Sequence, residues 1–253
     1  MTGESIDAVR AERDRLACAL ADRSAQLEAI AKEFEQFSHT LSHDLRAPLR
    51  ALEGFAQILA EDYGAKFDAD GKRCIDNLAS CAHKASGLIE DLHGFSCLCR
   101  KPFHPVVVDL QQVAERKAGE LKTEGTAAKI HIDTLPEAWG DADLLDAIVE
   151  ELMRNAVKFT RRQAQPSIEI RGRSENGRTV YSVRDNGMGF NPNYASRLFG
   201  VFQRLHDEKD IEGRGIGLAT VQRLVHRHGG TVWAEGKVNA GAVFFFSLPV
   251  RPL

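Results

Sequence analysis

The first forty residues commit the chain to a long helix. They hold one glycine and no proline. Taken in alternating steps of three and four, Ile6, Val9, Arg13, Leu16, Leu20, Arg23, Leu27, Ile30, Phe34, Phe37 and Leu41 fall in register, and nine of these eleven are apolar. An apolar residue every 3.5 positions winds into a stripe that a partner helix must cover. Arg13 and Arg23 lie on the stripe and weaken it locally, so the pattern predicts a modest coiled coil that depends on its neighbours. A single amphipathic helix lying on a globular domain would leave the same pattern.

Past Leu41 the stripe continues through Leu45, Leu49 and Leu52 with the altered spacing of a stutter. Residues 61–70, "EDYGAKFDAD", read as a turn. A second helix then carries Cys74/Ile75, Leu78, Ala82, Ala85, Leu88/Ile89, Leu92 and Phe95 as its apolar stripe. Two long amphipathic helices joined by a turn make a hairpin with one face half uncovered. Pairing two hairpins into a four-helix bundle buries that face, which predicts a homodimer.

Two prolines in "KPFHPVVVDL" end the helical pattern near residue 101. Beyond it, helices are expected over about 110–124, 143–159 and 216–228. Strands are expected at "AKIHID", "SIEIRGRS", "TVYSVRD", "TVWAEG" and "AVFFFSLPV". The fold class is therefore α+β, a dimerising helical hairpin followed by an α/β sandwich. The organisation reads as 1–37 a coiled-coil helix, 38–100 the hairpin and 101–253 the sandwich.

The net charge of −3 gives no reason to expect nucleic acid as a partner. No apolar run is long enough for a membrane span, and the polar N-terminus is unlike a signal peptide. The five cysteines form no CxxC pair, which fits a reducing cytoplasm. Cys74 and Cys81, seven apart in the helical stripe, are expected to be small buried residues.

Three polar motifs stand out in the second half. In "EELMRNAVKFT", Glu151, Asn155 and Lys158 share one face of a helix at i, i+4 and i+7, a set suited to a divalent cation and phosphate oxygens, or simply a solvated face. In "DNGMGF", Asp185 ends a strand, where a fixed carboxylate can accept from an exocyclic amine while Gly187 and Gly189 let backbone approach a flat ligand. Alone this is also a common turn. In "EGRGIGLATV", Gly213, Gly215 and Gly217 precede an amphipathic helix whose free N–H groups form a phosphate site. No strand or βαβ frame precedes these glycines, and no GK[ST] follows, so neither a dinucleotide fold nor a P-loop fits.

Together and in this order, the motifs resemble the ATP-binding catalytic domain of sensor histidine kinases, within the superfamily shared with gyrase, Hsp90 and MutL. "ELMRNAVKFT" is similar to the N box, "DNGMGF" to the G1 box, "LFGVFQRLH" to the F box and "GRGIGLATV" to the G2 box. The resemblance runs from about residue 38 to the end. It implies that Asn155 coordinates Mg²⁺ on the ATP phosphates, that Glu151 holds a metal-bound water and that Lys158 lies near the phosphates. It further implies that Asp185 accepts from the adenine amine, with Gly187 and Gly189 shaping the pocket, and that Gly213, Gly215 and Gly217 line the phosphates. Residues 205–212 would form a mobile lid, with Phe199, Phe202 and Arg204 at its base. "GAVFF" departs from the family's usual Thr-Thr pair, so Ala242 and Val243 lose any hydroxyl contact near the nucleotide.

Within the hairpin, "SHDLRAPL" resembles the family's H box, with His43 as phosphoacceptor. The resemblance implies that a neutral imidazole nitrogen of His43 attacks the γ-phosphoryl while Asp44 accepts from the other ring nitrogen and fixes the tautomer. Pro48 cannot donate to the carbonyl of Asp44, so a kink is expected there. His39 has no acidic neighbour and reads as a surface residue. A metal pair with His43 would need a third ligand, and "HTLSH" lacks the glutamate of HExxH. Ala47 departs from the Thr or Asn that many relatives carry four residues after the histidine, where it positions water for dephosphorylating the partner.

The resemblance implies an ATP- and Mg²⁺-dependent protein-histidine kinase that passes its phosphoryl group to an aspartate on a response regulator receiver domain, with weak or absent phosphatase activity. The alternatives are a non-catalytic relay or docking scaffold, and an ATPase of the superfamily unconnected with histidine, which would leave "SHDLRAPL" unexplained. The first 37 residues resemble only the helix that links a sensor to the bundle. The expectation is therefore a kinase core from a longer chain, or one that a separate sensor protein drives.

Overall fold

The computed structural model describes residues 3–175, 177–205 and 213–250, and resolves two compact units that divide between Ser96 and Cys97. In the first, α1 runs from Gly3 to Asp62 and continues through Pro48. An interior proline removes one helical hydrogen bond, and the sixty-residue helix absorbs that loss. A 3₁₀ turn at Gly64–Lys66 leads into α2, Ala69–Arg100. Asp68 caps its start, Oδ1 accepting from Gly71 N–H at 2.8 Å. α2 folds back along α1, with His83 Nδ1 and Glu53 Oε1 3.9 Å apart, and Ala56, Ile75 and Ala82 buried.

Leu45, Leu52, Phe55, Ile58, Leu78 and Leu88 each remain at least 36% exposed in a single chain, an apolar surface of the kind the sequence pattern leaves for a second copy. Cys74 and Cys81 correct the sequence reading: both are exposed. Ile75 and Ala82, one position further on and so about 100° round the helix, take the inward sites instead. Most side chains of the heptad stripe, and those of His39 and His43, lie outside the described residues.

Among the described residues the second unit is a sandwich of three α-helices on a five-stranded sheet. The strands are β2 (Lys129–Ile132), β4 (Ser167–Glu175), β5 (Arg178–Asp185), β6 (Thr231–Gly236) and β7 (Ala242–Pro249), in the order β2-β4-β5-β7-β6. β2 pairs parallel to β4, and the other pairings are antiparallel. The helices are α3 (Leu110–Thr123), α4 (Ala142–Thr160) and α5 (Gly217–Arg227). Leu144, Leu145, Ile148, Leu152 and Met153 form the fully buried side of α4 and join a core with Ile168, Tyr181, Leu224 and Leu248.

Two short strands, β1 (Pro105–Val108) and β3 (Ala138–Asp141), pair antiparallel as a separate ribbon that the sequence reading missed. Four residues show too little alternation to betray a strand, and β1 begins on a proline.

β5 sets up the site. Its side chains alternate, so Tyr181, Val183 and Asp185 face the core while Ser182 and Arg184 do not. The last residue of the strand is thus a carboxylate on the apolar face.

Candidate active site

Asp185 is 3% exposed, and burial pushes its carboxyl up to about 6. One oxygen, Oδ1, accepts from Gly187 N–H at 2.8 Å. The other, Oδ2, is buried with no hydrogen-bond partner among the described residues. A buried acceptor left unpaired is costly, and it fits a ligand that brings a donor.

The loop after Asp185 is shaped by close approach. A Cβ on Gly187 would land on the backbone carbonyl of Phe159 at the end of α4. Gly189 has a φ of 61°, and a side chain there would run into the carbonyl of Lys237. Asn186 pins the loop to β4, its Oδ1 accepting from Ser167 N–H at 2.9 Å and its Nδ2 donating to Gln165 O at 2.8 Å. A Cβ on Gly241, whose φ is 84°, would run into the Asp185 carbonyl. Sequence reasoning missed these last two; the only available signal for Gly241 was a glycine just before a strand.

α4 supplies the polar stripe beside Asp185. Asn155 is half-buried, and its Nδ2 is enclosed without a partner among the described residues. Burial lowers the Lys158 ammonium, the positive charges of Arg204 and Arg161 lower it further, and Glu151 opposes them.

The glycine-rich segment closes on the same helix. A Cβ on Gly213, φ 139°, would sit 2.9 Å from Lys158 Nζ, and one on Gly217 would strike the Glu151 carboxylate. Gly215, φ 76°, accepts at its carbonyl from Phe202 N–H at 2.9 Å. α5 begins with no side-chain cap at Ile216, leaving its first N–H groups for an anion.

The structure therefore sets Glu151, Asn155, Lys158, Arg204, Gly213, Gly215 and Gly217 along the C-terminal half of α4, and the loop of Asp185, Gly187 and Gly189 meets its last turn through Gly187. Phe199 stands apart from that set, at 6% exposure within the core. Of the expected lid, 205–212, only Leu205 lies within the described residues. His43 and Asp44 lie on α1 in the other unit; Asp44 is exposed, and the His43 side chain is outside the described residues. Among the described residues no group of three or more His, Cys, Asp or Glu could hold a metal ion, so a cation here would rely on amide and ligand oxygens.

Residues 35–98 match the His Kinase A (phospho-acceptor) domain, and residues 140–252 match the histidine kinase-, DNA gyrase B- and HSP90-like ATPase. The chain belongs to the sensor histidine kinases. The phytochrome-like protein Cph1 of Synechocystis is 30% identical over 91% of this chain and 31% of its own length. The methanogenesis regulatory histidine kinase FilI of Methanothrix harundinacea is 32% identical over 95% of this chain and 27% of its own. The chain thus spans under a third of the length of these relatives. Among solved structures, full-length ShkA in complex with AMPPNP is similar at a TM-score of 0.57 and 28% identity, covering 86% of this chain and 46% of that one. The Acinetobacter baumannii histidine kinase AdeS shares the fold at a TM-score of 0.55 and 19% identity, over 83% of this chain and 98% of its own. Among the described residues no helix is long and apolar enough to cross a membrane.

Proposed function

We propose that the chain is an ATP-dependent protein-histidine kinase that phosphorylates itself on His43 and passes the phosphoryl group to an aspartate of a response regulator. The observation that carries this reading is the buried, unpartnered Asp185 Oδ2, whose loop abuts the last turn of α4, together with the uncapped glycine-rich start of α5, which meets Glu151 and Lys158 on that same helix. The first suits the amine of adenine and the second suits phosphates, at opposite ends of one ligand. The relative ShkA, crystallised with AMPPNP, supports a nucleotide in this place.

In the proposed reaction an imidazole nitrogen of His43 bonds to the γ-phosphorus, the bond from that phosphorus to the bridging oxygen breaks, and ADP leaves. Asp44 accepts from the other ring nitrogen and holds the tautomer that leaves the attacking lone pair free. Lys158 and the α5 N–H groups hold the phosphates, and Asp185 orients the base. Asn155 would hold Mg²⁺, with Glu151 acting through a water; the ion supplies charge neutralisation on the phosphates.

Two hairpins pair through their exposed apolar stripes, and the sandwich from 101 onward acts as the catalytic domain of a cytoplasmic signalling protein driven by a sensor segment or a separate sensor protein. Ala47 offers no hydroxyl or amide beside His43, so phosphatase activity toward the regulator is weak or absent. Incubation with γ-labelled ATP tests the reading: label must enter the wild type and His39→Gln, and must be absent from His43→Gln.

A further inference from the structure

The segment after the hairpin is not a free linker. Arg227, in the last turn of α5, donates from Nη1 to the carbonyl of Leu98 at 3.3 Å and from Nη2 to the carbonyl of Lys101. Its guanidinium also lies 5.6 Å from the ring centroid of Phe103. These carbonyls are among those an α-helix leaves unsatisfied at its C-terminus, so Arg227 caps α2 from another element. Phe103 meets the buried His228 edge-on at 4.9 Å. His228 in turn accepts at Nε2 from Asp141 N–H at 3.0 Å, and Asp141 Oδ2 accepts from His104 N–H at 2.9 Å. The Lys101 ammonium pairs with Asp143.

Residues 98–104 are therefore strapped to the catalytic unit at several points, and the division between units falls before them, inside α2. The prolines of "KPFHP" cannot then supply the bend. The nearest weak point upstream is Gly94, exposed, with nothing within 4 Å of where a Cβ would stand. A glycine inside a helix loosens it by about 1 kcal/mol relative to alanine.

We propose that Arg227 is a positioning residue for phosphoryl transfer: it locks the last turn of α2 to the catalytic unit and moves the articulation between hairpin and catalytic unit to Gly94. One helix then holds phosphates at its first turn and the exit of the hairpin at its last. The inference rests on the kinase reading above, and a clamp readout independent of activity keeps the two separable.

Hydrogen exchange on the full chain reads the clamp, and steady-state autophosphorylation reads the positioning. In Arg227→Ala, amides of 99–104 should exchange about tenfold faster or more, and kcat should fall about tenfold at unchanged KM for ATP. Arg227→Lys should recover only part of the rate, since an ammonium lacks the planar fork that bridges two carbonyls. Gly94→Ala should lower kcat at unchanged KM while the strap stays protected. Unchanged exchange in Arg227→Ala, a wild-type kcat, or kcat and KM changing together would overturn the proposal. If Arg227→Ala does not fold, a wild-type kcat in Gly94→Ala overturns it. A wild type that never labels His43 refutes the kinase reading, and the exchange data still decide whether the clamp exists.

Discussion

Gly187 N–H donates to Asp185 Oδ1 at 2.8 Å, while the second oxygen of this carboxylate is buried without a hydrogen-bond partner among the described residues. The arrangement is unfavourable without ligand. A rise of the carboxyl from 3.8 to about 6 corresponds to about 3 kcal/mol. Because the folded value lies above the unfolded one, this contribution to stability is present below about pH 4 and lost as pH rises through 6. Asp185→Asn should therefore raise the melting temperature of the nucleotide-free protein at pH 8. It should also weaken ATP binding by about tenfold or more, as read by the nucleotide-induced shift in melting temperature.

Gly217 and Glu151 give a second expectation. The backbone of Gly217 is not in the left-handed region, so an alanine there meets only the carboxylate. Gly217→Ala should displace Glu151 and lower nucleotide affinity while leaving thermal stability within about 1 kcal/mol. Gly215→Ala should differ. At φ 76°, with the Gln203 carbonyl 2.8 Å from the new Cβ, it should destabilise the fold by about 1–3 kcal/mol. Paired melting and nucleotide titrations separate the two.

His228 should make the fold acid-sensitive. Burial depresses its imidazole, and its two nitrogens are both used, Nδ1 donating to Leu224 O at 2.7 Å and Nε2 accepting from Asp141 N–H. A depressed folded value means that stability is full above the unfolded value of 6.5 and falls as pH drops below it. Asp185 has the opposite slope in the overlapping range. His228→Gln should therefore remove the loss between pH 7 and 5 and let the Asp185 gain emerge in urea unfolding at each pH.

Lys117 ties α3 to α4. Its ammonium is 2.7 Å from Glu150, 3.0 Å from Asp146 and 3.3 Å from Glu120. Hydrogen bonding from Lys117 lowers the Glu150 carboxyl, while Arg116 and Lys117 lower that of Asp146 against its burial. Lys117→Met should destabilise the fold by about 2 kcal/mol at pH 7, where the carboxylates lose their shared cation. Since depressed carboxyls lose their contribution as pH falls below about 4, the difference should shrink there.

Ala47 should limit dephosphorylation. Ala47→Thr places a hydroxyl four residues after His43, and loss of label from a phosphorylated receiver domain should quicken with it while autophosphorylation stays within about twofold.

Much of this was legible in the sequence, for physical reasons that differ by element. α4 and α5 carry strong 3.6-residue periodicity, and their expected ends lie within a residue or so of those found. Asp185 was visible as a strand-end carboxylate, but its burial needed the register of β5 against β7. The strap at 98–104 was read as a boundary because prolines mark breaks. What they could not reveal was Arg227, more than a hundred residues later, donating to the carbonyls of Leu98 and Lys101 before Pro102 and lying over the Phe103 ring after it. Phe199 sat in a motif associated with the lid, yet its apolar ring went to the core.

The central claim is that His43 takes the phosphoryl group, and labelling from γ-labelled ATP tests it most directly. The wild type should acquire label that is stable to base and lost in acid, as a phosphoramidate requires. His39→Gln should retain it and His43→Gln should have none. Label that persists in His43→Gln, or that survives acid, would contradict the account.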